Sequence, residues 1–235
     1  MQRTAAFIRR VGDRLGHIHV TLDSHNPVDI AHPAWWLDGQ GARPAPFTVI
    51  TSGDIQSGRW RSADPSVQAY SADYVSKLDA GGRYPLVVWP EHCLIGNWGH
   101  NIEATVKAEL DAWARKRLRI VNYVAKGANP MTEHYSAIRA EVPDPSDPST
   151  QLNTALIRAL EKADIIVVAG EALSHCVANT VRDIADNSSP EHIRKMVLLT
   201  DCASSVSGFE AIGDAFVRDM SARGMQLANS ADFLA

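Results

Sequence analysis

Cysteine is scarce in this sequence, and no apolar run is long enough to cross a bilayer. The 235 residues include three cysteines, Cys93, Cys176 and Cys202, an odd number that cannot pair completely. No segment resembles an export signal, and none approaches the roughly 20 apolar residues that a transmembrane helix needs. We therefore expect a cytoplasmic protein with free thiols and no membrane partner.

Positive charge is also in short supply. Lys and Arg number 23 against 27 Asp and Glu, which gives a net charge of -4 at pH 7. A nucleic-acid-binding surface needs a basic face, so we expect no nucleic-acid partner and a small neutral or polar molecule instead. With 45% hydrophobic residues, the chain can bury one sizeable core, and we expect a single domain over residues 1–235.

Apolar residues follow two alternating periods along the chain. The strand-like runs are HIHVTL, YPLVVW, LRIVNYV, ADIIVVAG and KMVLLTD, and the helix-like segments between them are NIEATVKAELDAWARKR, TQLNTALIRALEK and CVANTVRDIAD. This alternation predicts an α/β fold with a doubly wound, largely parallel sheet, whose sites lie outside the carboxyl ends of the strands. Residues 37–82, with their Gly, Pro and Ser, are expected to form an excursion that covers the site.

Cys176 follows the strand-like run ADIIVVAG and opens the helix-like segment SHCVANTVRDIAD. In the first turn of a helix, unpaired N–H groups and the positive end of the dipole favour a thiolate and could hold an oxyanion. The residue could instead pack as a small hydrophobe, as buried cysteines usually do. The segment alone leaves both interpretations open.

Three residues that could bind a metal follow strand-like runs. Asp23 and His25 are two residues apart, so on a strand they would face the same side and offer a carboxylate oxygen and an imidazole nitrogen. A turn is the alternative, because DSHNP is rich in turn formers. His92 in WPEHC follows another strand-like run. Three such residues at the carboxyl ends of strands favour the metal site.

Lys126 closes the run LRIVNYVAKG. An interior lysine is rarely left unpaired, so at this strand end it could hold a carboxylate or stabilise developing negative charge. A solvated lysine after a strand is the commoner case, and this residue alone decides nothing.

Four motifs, in order, carry a family resemblance: TLDSH, WPEHCLIGNWG, VAKGANPMTEHYSA and VVAGEALSHCVANTVRD. Together they resemble the isochorismatase-like cysteine hydrolases, specifically the metal-containing nicotinamidase branch, over residues 19–201. The resemblance implies Cys176 as the nucleophile and Lys126 as the lysine of the catalytic triad. It also implies a divalent zinc, iron or manganese ion bound by Asp23, His25 and His92.

The resemblance further implies a non-proline cis peptide between Glu171 and Ala172, with the N–H groups of Ala172 and Cys176 forming an oxyanion hole. The expected reaction is cleavage of a small amide through a thioester with release of ammonia, and nicotinamide is the leading substrate. Relatives often associate, so a homo-oligomer is expected.

In the nicotinamidases the metal binds the substrate's ring nitrogen. An aromatic wall for that ring could come from Trp35, Trp36, Trp89 and Trp98, which could equally be core or rim residues.

Two features depart from the family pattern. The family triad begins with an Asp at the end of a first, central strand, and no residue here matches it. We expect the sheet to lack that strand and to expose an edge on both of its neighbours. One hypothesis is that Met1 is an internal methionine of a longer chain or that the chain was cut. The second departure is Ala31, which stands where many nicotinamidases place a further metal ligand; Asp29, His32 or water could replace it.

Two other functions compete with the hydrolase. His17 and His19 could be the H-x-H metal pair of an amidohydrolase barrel, but a barrel of this type needs about 250 residues or more and leaves Cys176 without a role. A catalytically silent scaffold or binding subunit would keep the fold without the triad Asp. The absent carboxylate slows acylation severely, because a positioned acid–base group contributes roughly 10²–10⁴-fold.

Overall fold

The computed structural model describes residues 1–81 and 83–234, and its elements alternate as the apolar pattern predicts. The helices are α1 (Gln2–Val11), α2 (Ser52–Gln56), α3 (Gln68–Gly81), α4 (Ala104–Arg117), α5 (Thr154–Glu161), α6 (Ala178–Asp186), α7 (Pro190–Arg194) and α8 (Glu210–Ala222). The strands are β1 (His19–Asp23), β2 (Trp36–Asp38), β3 (Val49–Ile50), β4 (Trp60–Ser62), β5 (Leu86–Val87), β6 (Asn122–Lys126), β7 (Ile166–Val168), β8 (Met196–Leu199) and β9 (Gln226–Ala228). No helix in the described ranges is both long and apolar enough to cross a membrane.

The parallel strands form two sheets. β1 pairs with β6 in a register that places Asp23 opposite Lys126, and β7, β8 and β9 pair in that order in the second sheet. The prediction of an α/β fold with parallel strands is confirmed. Within residues 1–81 and 83–234 no ladder joins β1 to β7, so the family's central strand is absent there, as expected.

The missing ladder changes the burial of the strands beside it. β8 has a partner on each side and all four of its residues are buried, whereas β1 has one partner and none of its five residues is buried. A strand inside an α/β sheet is normally covered on every side. The exposed edge that the sequence predicts for β1 is therefore present.

Helix α1 lies across both parallel sheets. Ile8 packs in a cluster with Val20 of β1, and Phe7 packs in another with Val167 of β7. Burying one such side chain contributes about 1.5–3 kcal/mol. Through these contacts α1 holds the two sheets together.

The largest core surrounds the second sheet. Apolar residues of α5, α6 and α8 pack against Ile166 of β7 and Met196 of β8, with Phe216 and Met220 of α8 fully buried. This packing holds α6 firmly against the sheet. Because α6 continues the turn that carries Cys176, the core also positions the candidate nucleophile.

Residues 37–81 form small elements outside the parallel sheets, and Gly82, the last residue of the expected excursion, lies outside the described residues. β2 pairs with β4, and β3 pairs with β5, both antiparallel. The run YPLVVW was expected to be a strand of the parallel sheet, and this expectation is wrong: Leu86 and Val87 pair antiparallel with β3. That the excursion covers the site, and that the chain is one domain, remain predictions.

The structure contains one parallel strand that the sequence pattern did not predict. β9 pairs with β8 at the edge of the second sheet. Its three residues, Gln226, Leu227 and Ala228, include no β-branched residue and show no clear alternation. Backbone pairing with β8, and not a local preference for strand, decides the conformation of β9.

Candidate active site and metal centre

Lys126 ends β6 with its side chain between the two parallel sheets. Its Nζ donates to Asp23 Oδ1 at 2.7 Å and to the His134 carbonyl oxygen at 2.9 Å, and it lies 3.5 Å from Cys176 Sγ. Only 4% of the residue is exposed. Burial by itself lowers the pKa of this amine, but Asp23 and Cys176 outweigh it and the pKa is raised. Lys126 is therefore a buried ammonium that joins the two sheets.

Glycine is required next to this lysine. Gly127 has a φ of +81°, and a Cβ there would lie 3.2 Å from both Asp23 Oδ1 and His25 Cε1. A larger residue would be strained in the backbone and crowded against two candidate metal ligands. The K-G pair thus brings the end of β6 against the end of β1.

Cys176 lies in a π-helical turn, Leu173–Val177, that runs directly into α6. The residue is thus in the first turn of a helix, as the apolar spacing predicts. Turns of this type are rare and frequently occur at functional sites. Burial raises the pKa of the thiol, and the neighbouring Lys126 only partly opposes this. The direction of this shift is opposite to the expected thiolate, because desolvation outweighs the Lys126 ammonium.

The peptide bond between Glu171 and Ala172 is cis, as the resemblance implies. The segment is held by the loop after β8: Glu171 Oε2 accepts from Ser204 N at 2.9 Å, and Leu173 N donates to the Ser204 carbonyl oxygen at 2.8 Å. In the described part of the chain, the Ala172 N–H donates to no acceptor. Its role as an oxyanion donor stays a prediction.

Asp23, His25 and His92 form one cluster beside Lys126. His25 Nε2 lies 3.2 Å from Asp23 Oδ1, and His92 Nε2 lies 3.5 Å from Asp23 Oδ2. One ligand atom from each residue lies within 4.8 Å of the other two. His25 Nε2 is buried and, among the described residues, makes no hydrogen bond. A carboxylate and two free imidazole nitrogens suit a zinc, iron or manganese ion, so the residues fit the expected metal.

A short backbone pairing brings His92 to this cluster. His25 N donates to the Cys93 carbonyl oxygen at 3.1 Å, and Ile95 N donates to the His25 carbonyl oxygen at 3.0 Å. The loop after β5 is thereby aligned parallel to the end of β1. His92 therefore reaches the site through a loop, although β5 belongs to a different sheet from β1.

Ala31 stands at the position of the further ligand, and its two possible protein replacements, His32 and Asp29, have different surroundings. Ala31 is buried and its carbonyl oxygen accepts from Trp89 N at 2.7 Å, so it offers no side-chain ligand. His32 packs beside His92 with ring centroids 5.4 Å apart. Asp29 Oδ2 lies 3.0 Å from His25 Nδ1. Burial by itself lowers the pKa of His25, but the carboxylates of Asp23 and Asp29 beside it raise the pKa to about 10.

Of the four tryptophans proposed as an aromatic wall, three are placed elsewhere. Trp35 and Trp36 are core residues whose Nε1 atoms donate to Ser71 Oγ and the Ile30 carbonyl oxygen, and Trp98 is 91% exposed. The expectation that these three form the wall is wrong.

Trp89 instead lies in a cluster that the sequence did not predict. It packs against His175, the residue before Cys176, with ring centroids 5.0 Å apart, and donates to Tyr135 Oη at 2.9 Å. Phe209 also packs against His175, at 5.0 Å between centroids. Tyr135 belongs to the motif TEHYSA, which was the available signal. These side chains therefore form an aromatic cluster around His175.

The H-x-H pair proposed for a barrel does not form a metal site with the cluster. His19 lies in β1, where its Nδ1 is 2.9 Å from Asn122 Nδ2, and its ring centroid is 6.5 Å from that of His17. The fold consists of two open parallel sheets with helices. The barrel alternative is excluded by this architecture.

The fold defines a class of protein. The parallel strands and the helices packed on them match the isochorismatase-like fold of solved nicotinamidases and pyrazinamidases. The resemblance stated from the motifs is thereby confirmed at the level of the fold. No protein-family model matches the sequence, and no curated protein matches it.

Particular solved structures share this fold over nearly the whole chain. The Acinetobacter baumanii nicotinamidase/pyrazinamidase superposes with a TM-score of 0.60 at 17% identity, covering 99% of this chain and 86% of that one. The yeast nicotinamidase bound to the inhibitor nicotinaldehyde gives 0.61 at 15% identity, covering 97% and 86%. The Pyrococcus horikoshii pyrazinamidase in complex with zinc gives 0.51 at 14% identity, covering 97% and 83%.

Proposed function

We propose that this protein is a cysteine hydrolase that cleaves the C–N bond of a small amide, with nicotinamide as the leading substrate. The observation that carries the proposal is Lys126, whose Nζ lies 3.5 Å from Cys176 Sγ and 2.7 Å from the Asp23 carboxylate of the metal cluster. Solved structures of the same fold include a nicotinamidase bound to nicotinaldehyde and one in complex with nicotinate, which supports the substrate class.

The proposed reaction uses Cys176 as the nucleophile. Its thiolate attacks the amide carbonyl carbon, a C–S bond forms, and the carbonyl electron pair moves to oxygen, where the N–H groups of Ala172 and Cys176 are the proposed donors. The C–N bond then breaks, and the nitrogen takes a proton and leaves as ammonia. Water adds to the thioester, releasing the carboxylic acid and the free thiol.

The metal cluster has a binding role in this proposal. Asp23, His25 and His92 would hold a divalent ion, which supplies an electrophilic anchor for a ring nitrogen of the substrate. Trp89, packed against His175, the residue before Cys176, is the proposed aromatic surface for the substrate ring. A planar heteroaromatic amide matches this pairing of a metal site and an aromatic side chain.

Proton transfer is the weak step of the proposed reaction. In the described residues, one carboxylate contacts Lys126, that of Asp23, which also belongs to the metal cluster. A positioned acid–base group typically increases the reaction rate roughly 10²–10⁴-fold. We therefore expect this chain to turn over its substrate slowly. The same observation favours the second candidate function, a catalytically silent binding or scaffold protein on this fold.

Ammonia release separates the two functions. The full chain, loaded in turn with zinc, manganese and ferrous iron, is incubated with nicotinamide, pyrazinamide and benzamide, and Cys176→Ala is the matched control. Hydrolysis of nicotinamide that exceeds that of benzamide, which has no ring nitrogen, and that disappears in C176A supports the hydrolase.

Nicotinaldehyde provides the complementary measurement. If no amide is hydrolysed but nicotinaldehyde protects Cys176 from iodoacetamide, the silent binding protein is favoured. If neither hydrolysis nor protection is found, both functions are rejected. The proposed homo-oligomer follows from the family resemblance, and sedimentation velocity tests this assembly state.

A further inference from the structure

Asp29 is a buried carboxylate that the proposed hydrolysis does not use. It follows β1 in the turn NPVD and is 0% exposed. Its Oδ2 lies 3.0 Å from His25 Nδ1, and its Oδ1 accepts from the Ala31 backbone N–H at 2.9 Å. Within the described ranges no lysine or arginine pairs with it. A buried carboxylate is costly unless it is hydrogen-bonded, so these two contacts account for its presence.

The two histidines of the metal cluster are held in the same way. His92 Nδ1 lies 2.9 Å from the Pro90 carbonyl oxygen, and His25 Nδ1 lies against the Asp29 carboxylate. In both rings Nε2 is the atom near Asp23. A histidine that donates from Nδ1 keeps Nε2 available as a metal ligand. The Asp29 carboxylate and the Pro90 carbonyl oxygen therefore select the same ligand atom, Nε2, in the two histidines.

We propose that Asp29 is a positioning residue of the metal centre. Its carboxylate accepts the His25 Nδ1–H, fixes the orientation of the ring and presents Nε2 to a divalent ion that Asp29 does not itself contact. Nδ1 and Nε2 lie on opposite edges of the imidazole ring, so a carboxylate bonded to one is separated by the ring from an ion bound to the other. Asp29 is therefore not the replacement ligand considered for Ala31. The inference rests on the proposed function only for the existence of the metal site.

Two substitutions grade the effect. Asp29→Asn keeps the shape but has one acceptor oxygen for two N–H groups, those of His25 and Ala31, and Asp29→Ala has none. Loss of such an outer partner typically weakens metal binding about 10–100-fold. We expect zinc affinity to fall in the order wild type, D29N, D29A, with D29A reaching this range.

The matched control is Asp183→Asn. Asp183 in α6 is as fully buried as Asp29, but it pairs with Arg83 Nη2 at 2.6 Å and lies outside the metal cluster. Its substitution reports what the loss of a buried carboxylate does to the fold without touching a metal ligand. We expect D183N to lower the melting temperature and leave zinc affinity within about twofold of wild type.

The measurement is zinc affinity of the full chain by competition with a chromophoric chelator, together with the visible spectrum of the cobalt form and a circular dichroism melt of each variant. A second readout is the imidazole N–H proton of His25 in the zinc form by NMR. We expect it to exchange slowly in wild type and rapidly in D29A. A purely structural role for Asp29 would move neither the cobalt spectrum nor this proton while the fold is retained.

The outcomes separate this inference from the proposed function. If wild type binds zinc and folded D29N binds it equally tightly, the positioning role is wrong and the metal site stands. If wild type binds no zinc, cobalt, manganese or ferrous iron, the metal site and the inference both fail, whatever the amidase assay gives. Where D29A does not fold, the comparison of D29N with wild type decides.

Discussion

Replacing Lys126 with methionine removes the ammonium that contacts Cys176 while keeping most of the side-chain volume. Opposite unit charges 3.5 Å apart attract by about 5 kcal/mol at an effective dielectric constant of about 20. The Asp23 carboxylate, 2.7 Å from the same ammonium, offsets part of this attraction. A loss of only about 1.4 kcal/mol in thiolate stabilisation lowers its population tenfold. We therefore expect Lys126→Met to slow alkylation of Cys176 at pH 7 at least tenfold.

The assay is the rate of iodoacetamide labelling at each cysteine, followed by peptide mass spectrometry. Cys202, buried in the core, is the internal reference, and its labelling rate should not change in the Lys126→Met variant. Burial raises the pKa of Cys93 to about 11 and Lys126 opposes this in part, so the labelling of Cys93 is followed separately. Circular dichroism melts run alongside, because removing one partner of a buried ion pair costs about 3–5 kcal/mol.

The matched control for this substitution is Lys107→Met. Lys107 Nζ lies 2.6 Å from Asp111 Oδ1, but the two side chains are 45% and 35% exposed. A surface pair of this kind contributes at most about 1 kcal/mol. Wild-type labelling of Cys176 in a folded Lys126→Met protein would refute the conclusion that Lys126 stabilises the thiolate.

Three further results are expected. Burial lowers the pKa of His175 to about 4, below the unfolded value of about 6.5, so wild type should lose stability as pH falls through this interval. In urea melts, His175→Phe should lose less free energy of unfolding between pH 7 and pH 5 than wild type. Equal losses would contradict the lowered pKa of His175. Zinc at about 100 times its Kd should stabilise the fold by about 2.7 kcal/mol, reversibly with EDTA. This stabilisation is measured as a zinc-dependent rise in Tm, which Asp23→Ala or His92→Ala should abolish. A rise that persists in one of these variants would exclude the substituted residue as a ligand. Arg83→Leu leaves Asp183 without its 2.6 Å partner and should cost about 3 kcal/mol in chemical denaturation, whereas a change below about 1 kcal/mol would mean that Arg139, 3.6 Å away, replaces it.

Elements with a strong local pattern could be predicted from the sequence. β1, β6, β7 and β8 coincide with strand-like runs that contain β-branched residues, and α4, α5 and α6 with apolar residues at helical spacing. These patterns are local, because the period of the side chains decides which face of a strand or helix is buried. The motifs also identified the isochorismatase-like fold and the cis peptide before Ala172.

Elements whose conformation depends on a distant partner could not be predicted. YPLVVW is as apolar as the parallel strands, yet it pairs with β3 in the excursion, and β9 has little strand preference of its own. Trp35 and Trp36 stand near the candidate ligands in sequence but pack in a separate core. An apolar side chain can be assigned to a core from its sequence, but which core it joins depends on the packing of the elements.

The sequence by itself identified the candidate site residues: an aspartate and two histidines after strand-like runs, a lysine at a strand end, and a cysteine in the first turn of a helix. Only the tertiary structure decided how they meet. Lys126 ends a strand of one parallel sheet and Cys176 follows a strand of the other, and the two approach to 3.5 Å because α1 and the core around α6 hold those sheets together. Burial at that junction, which no local pattern encodes, raises the pKa of Cys176.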